Sequence, residues 1–329
     1  MNIFLEYPES PDHDALAALV NRAEPLRVKD GAAERETDKR RIAAGCASRW
    51  VVARGADGQL VGAAWVGHEV FSFQPEHPRF WIAVEPSTRG CGVGSALWQT
   101  IRHLGRALGA QTFKTSTTVP DAENSGFAHR HGFTRLPGFV GFQRALGAVD
   151  LAGLDRELAV VESNLVRRGL VIRTMGSESV EPDFWQRYAD FNGLVAPDLP
   201  GPVPCTVPSP AALRAEIMDN PRAMMDRSFV AVAAASGQIV GVSSLMAGSH
   251  PGEVFVGLTA VDAAWRRLGM ARYLKNRAML EARRGGAEIL TTMCFEGNAR
   301  MLKLNADLGF SHAYDQSIWC HTPVVPPSE

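Results

Sequence analysis

The chain carries the same short patterns twice, and this repetition constrains its fold more than any other feature. Arg89-Gly90-Cys91-Gly92-Val93-Gly94 is followed by Gly132-Phe133, and Arg266-Arg267-Leu268-Gly269-Met270-Ala271 by Gly309-Phe310; each Gly-Phe pair begins 43 residues after the first arginine of its motif. Upstream, Gly58-Gln59-Leu60-Val61-Gly62 is echoed by Gly237-Gln238-Ile239-Val240-Gly241. A period near 177 residues is far too long for a solenoid unit and is the length of a domain. The 329 residues therefore read as a tandem duplication, with each copy long enough to bury its own core.

Apolar periodicity and turn residues order the elements alike in both copies. Residues 13–23 and 34–44 read as helices, 50–54 and 59–67 as a hairpin, and 79–84 as a strand ended by Glu85-Pro86. A helix over 95–109, a strand over 111–118 and a short helix over 127–131 follow. The second copy repeats this with a hairpin over 229–234 and 238–245, a strand over 254–261, a helix over 272–284, a strand over 288–293 and a helix over 298–308. The pattern is mixed α/β, in the α+β sense. It divides the chain into a first domain over 1–147, a linker helix over 148–168, a second domain over 169–322 and a disordered tail over 323–329. The Pro- and Gly-rich stretch 197–210 is expected to be an irregular loop.

Composition removes several function classes. A formal net charge of -1 provides no basic field for nucleic acid. No apolar run approaches the roughly 20 residues of a membrane span. The segment Met1 to Pro8 lacks the basic start and apolar stretch of a secretion signal. The cysteines, Cys46, Cys91, Cys205, Cys294 and Cys320, are odd in number and never form a Cys-x-x-Cys pair. They are expected to be free thiols of a cytoplasmic protein, with no metal site.

The repeated glycine turn follows a strand and opens a helix, which is the geometry of an anion site. Free backbone N–H groups and the positive end of the helix dipole face the ligand there. It is not a dinucleotide fingerprint: Ser95 stands at the third glycine position, and Ala110 and Gln111 where an acidic residue is required. It is not a P-loop either, because no Gly-Lys-Ser/Thr step occurs.

With these residues in view, the chain resembles the GNAT family of N-acetyltransferases, whose acyl-CoA pyrophosphate loop reads Arg/Gln-x-x-Gly-x-Gly/Ala after a strand ending Val-x-Pro. Val84-Glu85-Pro86-Ser87-Thr88-Arg89-Gly90-Cys91-Gly92-Val93-Gly94 matches well, and Val261 to Ala271 matches without the proline. The likeness covers nearly the whole chain as two such domains and is similar to tandem members of the mycothiol synthase kind. It implies two acyl-CoA N-acyltransferase folds, each a mixed, mostly antiparallel sheet flanked by helices and split between two parallel strands. Pantetheine would pair with the strand backbone near Ile82 and Val84, or near Thr259 and Val261. The pyrophosphate would sit on Gly90, Cys91, Gly92, Val93, Gly94 and Ser95, or on Arg267, Leu268, Gly269, Met270 and Ala271, with Arg89, Arg266 and Asn298 beside the coenzyme.

Amine acylation requires the reactants held together, an oxyanion donor and a proton acceptor. The resemblance places the oxyanion donor at the N–H of Ile82 or Thr259. Base candidates are His68, Glu69, Glu76 and His77 in the first copy and His250 and Glu253 in the second. Many GNAT members place a tyrosine acid four residues before the Gly of Gly-Phe; Ala128 and Asn305 stand at those positions here. Asn305 is a hydrogen-bond donor but no acid. Analogy assigns turnover to the second copy, and residues 197–210 to part of the acceptor wall. The reading is an acetyl-CoA-dependent N-acetyltransferase acting on a small-molecule primary amine, as monomer or homodimer, without nucleic-acid or membrane partners. A longer acyl chain, a peptide amine and a non-catalytic coenzyme-binding role remain open alternatives.

Overall fold

Polar caps and apolar stripes start and place the helices of the first copy. The computed structural model describes residues 2–24, 29–118, 122–201 and 206–322. Strand β1 (Ile3–Glu6) is followed by α1 (His13–Ala23), whose first turn donates to the Asp12 carboxylate, and by α2 (Gly31–Ala43), capped by Asp30. Then come β2 (Ser48–Gly55), β3 (Leu60–Gly67), β4 (Arg79–Val84), α3 (Val93–Ala107), β5 (Phe113–Thr117), α4 (Ala122–Arg130) and β6 (Thr134–Ala145). Leu16, Leu19 and Val20 of α1 bury one sheet face with Trp50, Val52, Trp65 and Ala83. The buried Asp38 of α2 accepts from Trp50 Nε1 at 3.0 Å. Val93, Leu97, Trp98 and Ile101 of α3 cover the opposite face over Val51, Ala64, Val66 and Phe80.

The second copy repeats this plan with different helices on its faces. Its elements are α5 (Leu151–Arg167), β7 (Leu170–Thr174), α6 (Met175–Glu178), α7 (Phe184–Val195), α8 (Pro210–Met218), β8 (Phe229–Ala233), β9 (Ile239–Ala247), β10 (Glu253–Val261), α9 (Met270–Arg284), β11 (Ile289–Phe295), α10 (Ala299–Asp307) and β12 (Ser311–His321). Phe184, Trp185, Tyr188 and Phe191 of α7 pack with Leu213 of α8 on Val230, Val232 and Val242. Leu158 and Leu165 of α5 share the other core with Leu274, Ala278 and Met279 of α9. Tyr273 Oη donates to Glu162 Oε2 at 2.6 Å, tying α9 to α5; burial and this carboxylate push the phenol pKa well above its ordinary value.

The two compact units do not coincide with the two sequence halves. The first comprises residues up to Gly138 together with those from Asp315 onward, and the second spans Phe139–Tyr314. In the first unit the strands run β1-β2-β3-β4-β5-β12. Neighbours are antiparallel except β4 and β5, which are parallel. In the second unit the order is β6-β11-β10-β9-β8-β7, again with one parallel pair, β10 and β11. Each half thus gives its last strand to the other unit. Trp319 of β12 is 2% exposed inside the first unit's core and donates from Nε1 to Thr117 Oγ1 at 3.3 Å.

This differs from the boundaries expected from the sequence. Residues 139–147 belong with the second unit and 315–322 with the first, because β6 pairs with β11 and β12 with β5. The segment read as a linker helix is α5, part of the second unit's core. The tail 323–329, Cys205 and residues 202–205 of the expected loop lie outside the described residues. No described helix is long and apolar enough to cross a membrane. Substituting Trp319 by Ala should therefore destabilise the first unit, by about 4 kcal/mol for loss of a buried indole. Hydrogen exchange should report lost protection across residues 93–117, which are close to Trp319 only through the exchange; loss confined to residues 254–295 would contradict it.

Candidate functional site

In the first unit, β4 and β5 pair at Arg79 and Lys114 and then part. Backbone groups beyond that point lack a ladder partner across the gap, so the fork is lined by unspent donors and acceptors. A cavity of about 710 Å³ fills it, within the usual range for a small-molecule site. Phe80 to Val84 form one wall and Thr115, Ser116 and Thr117 the other. Gly126, Phe127, Ala128 and Arg130 of α4 line it too, with Phe133 and Trp319. The open end is the glycine turn: Thr88, Arg89, Gly90, Gly92, Gly94 and Ser95 all line the cavity. Ile82 and Val84, expected at the coenzyme, stand in this wall and are half-buried.

Backbone conformation explains the glycines of the turn. Gly90 and Gly92 adopt φ of 79° and 87°, the left-handed region that L side chains avoid. Gly92 is the N-cap of α3 and offers no side-chain cap, and the first helical bond runs from Ala96 N to the Gly92 carbonyl. The amides of Val93, Gly94 and Ser95 therefore fall outside the helix's own ladder and point from its positive end. A Cβ on Gly94 would meet Phe127 at 3.2 Å. Cys91 is exposed. Arg89 turns toward α1 and donates from Nη2 to the Ala23 carbonyl at 2.8 Å.

The second unit forks differently. β10 and β11 pair from Glu253–Ile289 to Val256–Thr292, and β10 is irregular against β9 between Val256 and Thr259. Thr292 Oγ1 donates to the Val256 carbonyl at 3.1 Å, at the point of divergence. Thr259 and Val261 are buried, with Thr259 Oγ1 3.1 Å from Ser243 Oγ. The turn follows the same path as the first: Gly269 has φ of 77° and caps α9, while Arg267, at the place of Gly90, has φ of 68°. Arg267 is the one non-glycine residue with positive φ among the described residues, a strain of about 1–2 kcal/mol. Leu268 and Ala271 pack partly on the core, and Met270 is buried in it. Arg266 donates from Nε to the Val261 carbonyl at 3.0 Å and pairs with Asp198 at 2.6 Å. Asn298 caps α10, its Oδ1 accepting from Met301 N at 3.1 Å.

The base candidates do not gather at the forks. Glu69 sits between Arg41 at 3.5 Å and Arg79 at 3.3 Å. Arg79 links it toward the cavity, with Nη2 3.5 Å from Ser116 Oγ. His68 is buried against Phe73, with Nε2 3.1 Å from the Pro75 carbonyl, and His77 Nδ1 lies 2.8 Å from Thr112 Oγ1. Glu253 accepts from Thr291 Oγ1 at 2.7 Å and from His250 N at 3.2 Å at the closed end of its fork. Thr259 lies six positions further along the strand, about 20 Å of extended chain. The hydroxyl row Thr115-Ser116-Thr117 was not singled out beforehand; its signal was the Thr-rich strand itself. No metal-ligating group of three or more is present among the described residues.

Comparison with known proteins agrees with this geometry. A sequence model described as an acetyltransferase (GNAT) domain matches residues 47–135, and one described as the acetyltransferase (GNAT) family matches residues 201–310. No curated protein sequence matches significantly. Among solved structures, a tandem GNAT protein from the clavulanic acid biosynthesis pathway is 19% identical over 99% of this chain and 100% of its own, with a TM-score of 0.71. A GCN5-related N-acetyltransferase from Sphaerobacter thermophilus is 16% identical over 98% and 97%, with a TM-score of 0.68. A glucosamine N-acetyltransferase region of a fungal multi-domain β-N-acetylglucosaminidase is 14% identical over 97% of this chain and 38% of its own, with a TM-score of 0.70.

One buried charge of α9 has no counterpart at the matching place in the first unit, which carries Trp98 there. Lys275 of α9 is 3% exposed and donates from Nζ to Asn305 Oδ1 at 2.5 Å. Burial, set against the nearby Cys294, brings its pKa down to about 8. Because the folded pKa lies below the unfolded one, folding costs this amine its proton affinity, and the cost fades as pH rises from about 8. The difference in unfolding free energy between the wild type and Lys275→Met should therefore shift in favour of the wild type by about 2 kcal/mol between pH 8 and pH 9.5. Denaturant unfolding of the two chains across that window checks the expectation; parallel curves would contradict it.

Proposed function

The chain belongs to the GNAT acetyltransferase family, as an enzyme with two such domains in tandem, and we propose that its donor is acetyl-CoA and its acceptor the primary amine of a small molecule. The observation that supports this reading is the first unit's cavity, which joins a strand fork to a glycine turn at a helix N-terminus. In the proposal the pantetheine amides pair with the free backbone of Ile82 and Val84, and the pyrophosphate takes the amides of residues 90–95. The corresponding groups in the second unit are Thr259, Val261 and residues 267–271. Acyl-CoA is a substrate here, and the reaction is direct attack of the neutral amine on its thioester carbonyl. Backbone N–H groups of β4 or β10 stabilise the oxyanion, and the C–S bond then breaks with its electron pair going to sulfur. Holding both reactants in one cleft supplies much of the acceleration. A cytoplasmic protein, monomeric or homodimeric, is part of the same proposal.

The test counts bound acetyl-CoA by native mass spectrometry of the wild type, Gly92→Asp, Gly269→Asp and the double variant. Asp tolerates positive φ better than most residues, so each substitution acts mainly by placing a carboxylate against the pyrophosphate. The wild type should hold two molecules, each single variant one and the double variant none, with affinity at the altered site at least about tenfold weaker. Two molecules retained by every variant would remove both turns as the coenzyme site. Bound lauroyl-CoA in preference to acetyl-CoA would replace the donor.

A further inference from the structure

The closed end of the first fork gathers more positive charge than its neighbours neutralise. Arg79 and Lys114 form a parallel rung there, so their side chains leave the sheet on the same face. Residues two positions on share that face, which brings Trp81 of β4 and Ser116 of β5 beside them. Both of these line the cavity, and Arg79 Nη2 lies 3.5 Å from Ser116 Oγ. The face is the one that α1 covers, where Trp81 packs with Trp50, Trp65 and Ala83. Phe80, Ile82 and Val84 belong to the opposite face, with α3.

One carboxylate answers this charge. Glu69 is shared between Arg79 at 3.3 Å and Arg41 at 3.5 Å. Lys114 Nζ has no hydrogen-bond or ion-pair partner among the described residues. The side chain is half-buried; burial draws its pKa below the ordinary value, opposed by Cys320 and reinforced by Arg79. The other acid nearby, Glu76, is exposed and acts on His77. The duplicate shows that the fold does not need these cations. Arg79 meets Gly67 of β3 and Lys114 of β5; the residue that meets Met246 of β9 and Thr291 of β11 is Phe255. Thr291 there donates to a carboxylate, that of Glu253, at 2.7 Å.

We propose that this corner anchors a carboxylate of the acceptor, so that the first unit takes amines that carry a carboxylate of their own. The inference rests on the coenzyme reading above and deepens its acceptor. Five strand positions, about 17 Å of extended chain, separate Arg79 from Val84 beside the glycine turn. The corner is therefore a second anion site, distinct from the turn, and an acyl-CoA lying from the turn along β4 ends toward it. The acceptor enters from the α1 face, with its carboxylate on Lys114 and Arg79 and its body against Trp81. Its amine lies near Ile82, three positions or about 10 Å along β4 from Arg79, a gap that the reach of the two cationic side chains shortens. Lys114 is the specificity determinant, because its charge has no partner to give up, whereas Arg79 is already held by Glu69. A carboxylate gains charge-assisted bonds here that a neutral amide cannot make.

The test is calorimetry on the full chain carrying Gly269→Asp, which closes the second turn, in the presence of CoA so that no turnover occurs. The titrants are glycine, β-alanine, γ-aminobutyrate and leucine, each paired with its amide, so that charge changes at nearly constant shape. At low salt at least one acid should bind about tenfold tighter than its amide, and added salt should shrink the difference. Lys114→Gln should bring acid and amide level, and Lys114→Arg should restore the acid's advantage, which a packing role would not do. If Lys114→Gln does not fold, the salt dependence with Lys114 in place makes the same test. Acids that bind no better than their amides, on a chain that holds CoA, overturn the inference alone. Phosphoethanolamine bound more tightly than every acid replaces the carboxylate and overturns it as well. A Gly269→Asp chain that holds no CoA overturns the coenzyme reading of the first unit and this inference with it.

Discussion

Each unit is organised around one pair of parallel strands that part company. Hydrogen bonding between β4 and β5 stops at Arg79–Lys114, and that between β10 and β11 at Val256–Thr292. Past those points a strand retains the spacing of a ladder without a partner, and it can accept an extended ligand bearing its own amides. A fork of this kind collapses or frays unless both arms are held from outside. β3 holds β4 through the whole length from Gly62–Val84 to Gly67–Arg79, and β12 holds β5. In the second unit β9 and β6 do the same for β10 and β11. The α3 and α9 helices then start where the inner arms end, so the gap and the positive end of a helix arrive together.

The outer brace is also the part that the sequence hides. Repetition made the two folds legible, and the elements from β2 to α4 and from β8 to α10 lie within a few residues of where periodicity puts them. The closing strands were not read at all. An antiparallel strand closes each sheet, β12 beside β5 and β6 beside β11. A local pattern can say that a segment is a strand; it cannot say which edge will receive it. The exchange follows from pairing between residues as far apart as Phe113 and His321, and such a choice leaves no trace in neighbouring residues.

Site residues divide along a similar line. The glycine turn was legible because positive φ admits few residue types, and Gly90, Gly92 and Gly269 all adopt it. Ile82 and Val84 followed from their position just before the turn. The acid–base candidates were chosen by residue type and place in the chain. Glu69 is instead occupied by Arg41 and Arg79, and Glu253 by Thr291 and the His250 amide. Nothing in a sequence reports that a carboxylate is already paired. Lys275 went unnoticed for the opposite reason: on a helix with four Arg besides it, one more cation reads as solvent-facing until its burial is known.

The two copies have kept one backbone and changed what it carries. The first turn meets its left-handed positions with glycine, at no steric cost, and its fork is lined by aromatic and small residues. The second places Arg267 in the left-handed region and pins Arg266 to Asp198. It also buries Lys275, which donates to the Asn305 amide oxygen and lies against the Phe310 ring. A strained residue and a desolvated cation both work against stability, and the first copy demonstrates that the architecture does without either. Their presence in only one copy separates two domains that share a backbone and differ in the charge they bury.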